Sequence, residues 1–331
     1  MGGSHWSDDF YADREAMRKS AGKSAFAYDA SLRADPSAKK AVHPKMDPRG
    51  KTRESRDSDA HPNSVAIGVV FDVTGSMGGI PVTLQKKLPQ LMGLLSRKGY
   101  VQDPQILFGA VGDANSDRVP LQVGQFESGI EMDDDLSRLY LEGGGGGTYE
   151  ESYQLPLYFF ARHTSIDCFE KRQKKGYLFL IGDEMPYKHA TVAELARIVG
   201  DDVSAPLPIE KVIREAREKY HVFFIIPNGA SHGSDPALGE RWRSLLGAEN
   251  VLMLPDAEGV CEAIGLAIGL CEGTANVDAL EGELTGGGVP SDVARGVASA
   301  LLPLAEKAAM TTVAKGALPP AKRSGSLTER L

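Results

Sequence analysis

The chain has 331 residues, 42% of them hydrophobic and 25% charged, with a formal net charge of −8. That balance fits a globular protein with a buried core, in one large domain or two small ones, and speaks against a general attraction to nucleic acid. No run approaches the roughly 18–20 apolar residues of a membrane span, and the opening MGGSHWSDDFYADREAMRKS has no apolar signal region. Three scattered cysteines, Cys168, Cys261 and Cys271, fit no metal spacing. The expectation is therefore a cytoplasmic protein with reduced thiols.

Composition divides the chain into residues 1–62, 63–273 and 274–331. The first zone is polar, with both signs of charge. Its run KKAVHPKMDPRGKTRESRDSDAHPN holds three prolines and few apolar residues, so it reads as an extended or disordered arm. The second zone alternates β-type and helical patterns. Strands are predicted at 64–71 (SVAIGVVF), 105–111 (QILFGAV), 120–126 (PLQVGQF), 177–181 (YLFLI), 221–226 (HVFFII) and 250–254 (NVLML). Four of these are near-continuous apolar runs, as in strands covered on both faces. Helices are predicted at 84–97, 151–163, 209–220, 238–246 and 257–270, and Tyr153, Leu157 and Phe160 share a core-facing side. The alternation implies an α/β fold with a doubly wound, mostly parallel six-stranded sheet of Rossmann-like type. The 120–126 run follows its predecessor through a short turn and is expected as an antiparallel edge strand. In the third zone, TGGGVP at 285–290 reads as a flexible link. Ser291 then caps a helix to about residue 315 that Pro303 should kink or split, and the remainder is a tail.

In open α/β sheets, ligands sit beyond the carboxyl ends of the strands. The first strand here runs into Asp72-Val73-Thr74-Gly75-Ser76, and the fourth into Gly182-Asp183-Glu184. Between them lies a loop of five glycines, Gly143, Gly144, Gly145, Gly146 and Gly147, followed by Thr148-Tyr149-Glu150-Glu151. All of these offer hard oxygen donors. The loop makes a poor phosphate cradle, because no Lys follows the glycines. Helix capping by Asp72 and Asp183 is the plainer alternative, and it leaves Thr74, Ser76 and Thr148 as coincidences. Glu150 and Glu151 also suit a helix N-terminus as favourable charges. His163, His189, His221 and His232 show no ligand spacing and read as surface or strand-start residues.

The D-x-T-G-S run, the Gly-rich loop ending in Thr and the strand ending in Asp, in that order, resemble the metal-ion-dependent adhesion site of von Willebrand factor type A (VWA) and integrin I-type domains. The resemblance spans residues 64–271 and points to the stand-alone intracellular bacterial or phage type. It implies Asp72, Thr74, Ser76, Thr148 and Asp183 as ligands of one Mg²⁺, or of Mn²⁺ or Ca²⁺ in its place. Asp113, Glu150 and Glu184 would lie close behind them, and the glycine loop would be mobile. It further implies an adaptor rather than an enzyme, with a partner's carboxylate completing the ion's shell and an AAA+ ATPase or a kinase as the associated machinery. Three features depart from the family pattern: Gly-Asp-Glu replaces the usual Thr-Asp-Gly, the glycine loop is long, and Asp113 adds a carboxylate. The competing resemblance is to haloacid-dehalogenase-type Mg-dependent phosphotransferases with Asp72 as nucleophile. Thr74 stands where their second acidic residue belongs.

Overall fold

The computed structural model describes residues 5–144, 149–275 and 279–314. One six-stranded sheet organises the fold. Its strands are β1 (Ser64–Asp72), β2 (Asp103–Val111), β3 (Leu121–Val123), β4 (Gly176–Ile181), β5 (Tyr220–Pro227) and β6 (Val251–Leu254), in the order β6-β5-β4-β1-β2-β3. Every neighbouring pair is parallel except β2 and β3, which run antiparallel with Gly109 opposite Val123. The doubly wound α/β sheet with an antiparallel edge strand is therefore as predicted. The edge strand is shorter than the 120–126 run. After Val123 the ladder is interrupted: Gly124 N–H still donates to the Phe108 carbonyl at 2.9 Å, the Gln125 amide turns to the Asp135 carboxylate at 2.9 Å, and pairing resumes only as an isolated bridge between Glu127 and Ile106.

Side chains alternate between two apolar layers, as the period of two along a strand requires. Val65, Ile67, Val69 and Phe71 of β1 enter one layer, with Phe179 of β4 and Ile225 of β5. Ala66 and Val70 enter the other, with Leu180 and Phe224. The first layer is closed by helices Ile80–Lys86, Leu88–Met92 and Val260–Glu272, the second by Gln154–Arg162, Ile209–Lys219 and Pro236–Leu246. The predicted 84–97 helix is subdivided, and proline explains it. Pro81 and Pro89 each sit in the first turn of a new helix, where no amide donor is needed. Tyr153, Leu157 and Phe160 are fully buried. Among the described residues no helix is long and apolar enough to cross a membrane.

The N-terminal zone departs from the expectation of an extended or disordered arm. It forms α1 (Asp8–Ser20), α2 (Ala27–Ala34) and a short strand, Arg53–Ser55, paired in parallel with Thr164–Ile166. Its few apolar residues are well spent, since Tyr11, Phe26 and Met46 all insert into the first layer. Its polar groups are taken up by the sheet domain. Tyr11 Oη donates to the Gln85 carbonyl at 2.6 Å, and the Met46 carbonyl accepts the Val123 amide at 2.8 Å. Composition alone understates such docking, because it counts charges as solvated when here they are paired.

The C-terminal zone also joins the first layer. The last helix, Ser291–Ala314, runs through Pro303 without the predicted split. Val293, Ala294 and Val297 before the proline, and Leu301, Leu304 and Ala305 around it, are all buried. This continuous apolar stripe anchors both halves on the same surface and offsets the one missing backbone hydrogen bond. Part of the expected flexible link is helical, as Leu280–Gly286. The tail lies outside the described residues.

Candidate metal centre

The strand order reverses at β1: β2 and β3 lie to one side, and β4, β5 and β6 to the other. The crevice beyond the carboxyl ends of β1 and β4 is thus the topological switch point, where such sheets take ligands. Asp72 ends β1 and Asp183 lies just past β4, and both are fully buried. The Thr74 amide and hydroxyl both donate to Asp72 Oδ1, at 2.7 and 2.6 Å. Thr74 Oγ1 lies 3.1 Å from Ser76 Oγ, which donates to Asp183 Oδ1 at 2.7 Å. Four of the five predicted ligands therefore form one continuous run of oxygens. The fifth, Thr148, lies outside the described residues, as do Gly145, Gly146 and Gly147.

The start of the glycine loop is tied to the first ligand loop. Gly143 N–H donates to the Val73 carbonyl at 3.0 Å, and Gly75 N–H to the Gly144 carbonyl at 2.6 Å. A Cβ on Gly75 would stand only 3.2–3.3 Å from the Gly143 and Gly144 oxygens, so any larger residue would press this approach apart by a few tenths of an ångström. The arm contributes too. Asp29 of α2 accepts the Leu141 amide at 3.2 Å, and Arg33 donates to the Leu141 carbonyl. At Gly143 and Gly144, then, the loop is held rather than free.

The surrounding acids sort themselves differently from the sequence reading. The two-residue strand Glu150–Glu151 pairs with Met185–Pro186, immediately after Asp183 and Glu184. That pairing brings Glu151, which is 1% exposed, beside Glu184. One carboxylate oxygen from each of Asp72, Glu151 and Glu184 lies within 4.8 Å of the others, and the same holds for Asp183, Glu184 and a His232 nitrogen. Glu184 thus lines the crevice. Asp113 is buried nearby, but its carboxylate caps its own turn, accepting the Asn115 amide at 3.0 Å and the Ser116 hydroxyl at 2.9 Å. Glu150 is half-buried and lines a neighbouring cleft with Met185, His189 and Arg241.

Three residues were not singled out for the site by the sequence. Glu151 carried only the weak signal of its place after the glycine loop. Tyr153 has a core ring, against Phe224 and Trp242 at 5.1 and 5.4 Å between centroids, yet its hydroxyl donates to Asp72 Oδ2 at 3.2 Å. Gly182 makes this possible, since a Cβ there would collide with the Tyr153 oxygen. His232 arrives from the loop after β5. Its amide donates to Asp183 Oδ2 at 2.9 Å, its Nδ1 lies 3.6 Å from the same oxygen, and its ring packs edge-on against Tyr149. No local pattern signals that approach.

Charge is the defining property of the crevice. Among the described residues, no Lys or Arg pairs with Asp72, Asp183, Glu151 or Glu184, and a cation such as the phosphotransferase reading requires is not found beside Asp72. Burial, then the nearby Asp72 and Asp183, pushes the Glu184 carboxyl up to about 8. Burial also raises Asp72, against the hydrogen bonds from Thr74, and raises Glu151, with Asp72 adding to the effect. Glu151 Oε1 accepts the Ser152 amide at 2.7 Å, while its Oε2 is buried without a hydrogen-bond partner among the described residues. The donors are carboxylates and hydroxyls, the set that a hard divalent ion such as Mg²⁺ prefers. An orphaned buried carboxylate oxygen is what such an ion would satisfy.

No protein-family model matches the chain, and no curated protein sequence matches it. Among solved structures it is similar to the pilus adhesin SpaC from Lactobacillus rhamnosus GG in its open conformation, with 10% identity and a TM-score of 0.43 over 70% of this chain and 33% of that one. It is also similar to proximal thread matrix protein 1 from the mussel byssus, with 11% identity and a TM-score of 0.41 over 69% of this chain and 47% of that one. The matches thus span about a third to a half of the neighbours' lengths.

Proposed function

We propose that the chain is a VWA-like, metal-dependent protein-binding module that acts as an adaptor, without catalysis of its own. The observation that carries this is the run Asp72–Thr74–Ser76–Asp183, four oxygen-bearing side chains linked one to the next at the switch point, with no Lys or Arg among the described residues pairing with its carboxylates. Two carboxylates with two hydroxyls would hold an ion while leaving it partly positive. When bound, the ion supplies an open coordination position that an Asp or Glu side chain of a partner fills. Asp72 is anchored by Thr74 and Tyr153, and Asp183 by Ser76 and His232, so the ligand geometry is pre-arranged before any ion arrives. A protein exposing an acidic side chain is the partner this chemistry selects, with an ATPase or kinase as the class the family resemblance suggests. The reading is tested by calorimetry of the full chain with Mg²⁺ and Mn²⁺, alongside pull-downs in Mg²⁺ and in EDTA with wild type and Asp72→Ala. Saturable heat and an EDTA-sensitive partner lost in the variant are expected. Hydrolysis of p-nitrophenyl phosphate that disappears in Asp72→Asn would instead make the protein a phosphotransferase.

A further inference from the structure

The adhesion-type site accounts for Asp72 and Asp183, but the crevice holds four buried carboxylates. We infer that it takes a second hard divalent cation, held by Asp72, Glu151 and Glu184, with Asp72 shared between the two ions. This rests on the preceding reading only through Asp72 and the presence of a first ion.

Three observations carry it. The first is geometric. A carboxylate oxygen from each of the three residues lies within 4.8 Å of the others, a spread one cation can span. The two glutamates are held there by backbone. Glu151 is in register with Pro186, and the Glu184 carbonyl accepts Trp242 Nε1 at 3.1 Å. The second is the Glu151 side chain itself, 1% exposed, with Oε2 lacking a hydrogen-bond partner among the described residues. A buried carboxylate oxygen left unpaired costs several kcal/mol as an ion, so such atoms call for a partner. The third is charge. One divalent ion between Asp72 and Asp183 balances two negative charges and leaves those of Glu151 and Glu184. Protonating both glutamates or adding one divalent ion are the two ways to balance them, and three carboxylates within reach of one another offer the second a ready ligand set.

The ligands are all carboxylate oxygens, so the ion belongs to the Mg²⁺, Mn²⁺ and Ca²⁺ class. Its higher ligand charge makes this the tighter of the two positions, because affinity in oxygen-ligand sites rises with the number of charged ligands. Two ions sharing a carboxylate would stand about 3.5–4 Å apart, as in other paired sites.

The test uses the full chain, stripped with EDTA and titrated with Mn²⁺ while free Mn²⁺ is followed by electron paramagnetic resonance. The expected result is two Mn²⁺ per wild-type chain, with a spin-coupled signal at saturation. Glu151→Gln should leave one Mn²⁺ and abolish the coupling, and Glu184→Gln should do the same if the first variant fails to fold. Ser76→Ala should weaken only the other position, by about tenfold or more. One Mn²⁺ in wild type that persists unchanged in Glu151→Gln and Glu184→Gln overturns the inference and leaves the adhesion-type reading standing. One Mn²⁺ in wild type that vanishes in Glu151→Gln and survives in Ser76→Ala would place a single ion on the carboxylates, overturning both the pairing of two ions and the hydroxyl position. Wild type that folds and takes up no Mn²⁺ overturns both.

Discussion

Asp133 and the switch-point crevice are both places where this protein buries carboxylates, and it treats them in opposite ways. Asp133, fully buried beneath α1, is met by Arg14 at 3.3 Å, by Arg18, and by the Gln85 amide at 3.3 Å. Three other buried acids are treated alike: Glu262 has Lys87 at 2.7 Å, Asp167 has Arg56 at 2.9 Å and Lys171 at 2.7 Å, and Asp135 has Arg138 at 2.6 Å, while Asp113 and Glu194 accept hydrogen bonds from their own turns. In the crevice, Asp72, Glu151 and Glu184 have no such cation among the described residues, and Asp183 has only His232 nearby. At Asp133, Glu262, Asp167 and Asp135 the chain carries its own counter-ion, whereas in the crevice no Lys or Arg among the described residues plays that part.

The contrast predicts opposite signs for similar changes. Arg18→Ala removes a cation from buried Asp133 and should destabilise the fold by about 3 kcal/mol in denaturant titration, since breaking a buried pair strands the remaining charge. It should also free α1 for proteolysis, whereas the wild-type arm resists. A wild-type midpoint would mean that Arg14 and solvent suffice, and the contrast would lose one side.

Glu151→Gln should do the reverse in EDTA, raising stability by about 1–2 kcal/mol, because an unpaired buried carboxylate is replaced by an uncharged group of the same shape. In saturating Mn²⁺ the gain should shrink or change sign. A loss of stability in EDTA would show that Glu151 is already satisfied within the fold.

The pH dependence of the metal-free protein sharpens the same point. Glu184 is raised from 4.5 to about 8, so the folded state holds its proton more tightly than the unfolded one. Stability from a raised carboxyl is fully present below its unfolded value and is lost as pH rises through the folded one. In EDTA, thermal stability should therefore decline between about pH 5 and 8, and Mg²⁺ or Mn²⁺ should flatten that decline. A metal-free melting temperature that rises over this window would contradict an uncompensated crevice.

The smallest effect on the fold is expected at Ser76. Its hydroxyl contributes one hydrogen bond to Asp183, which also accepts the His232 amide. Ser76→Ala should cost about 1 kcal/mol or less in EDTA yet lower the heat of Mg²⁺ binding. An unchanged Mg²⁺ isotherm would remove the hydroxyls from the ligand set.

Much of this was written locally in the chain. The β1, β2, β4 and β5 runs announce themselves because strands covered on both faces must be apolar throughout, and Gly-Gln after Val123 did not hide the edge strand between them. Asp72, Thr74, Ser76 and Asp183 were legible because a few adjacent residues at strand ends, with Gly75 making the turn, suffice to place them. Residues such as Glu151, Tyr153 and His232 were not, because each reaches the crevice through a partner distant in sequence: Pro186 for Glu151, Asp72 for the Tyr153 hydroxyl, Asp183 for His232. The arm was misjudged for the same reason. Its composition reports how little apolar surface it has, but only the folded sheet domain supplies Asp133 for Arg14 and Arg18 and the apolar layer that receives Tyr11 and Phe26. By itself, then, the sequence determined the elements and the ends of β1 and β4, because periodicity and turn chemistry act over a few residues. The tertiary structure decided that Asp133 meets Arg14 and Arg18 and Glu262 meets Lys87, while the crevice acids meet no Lys or Arg among the described residues, because those encounters depend on distance in space.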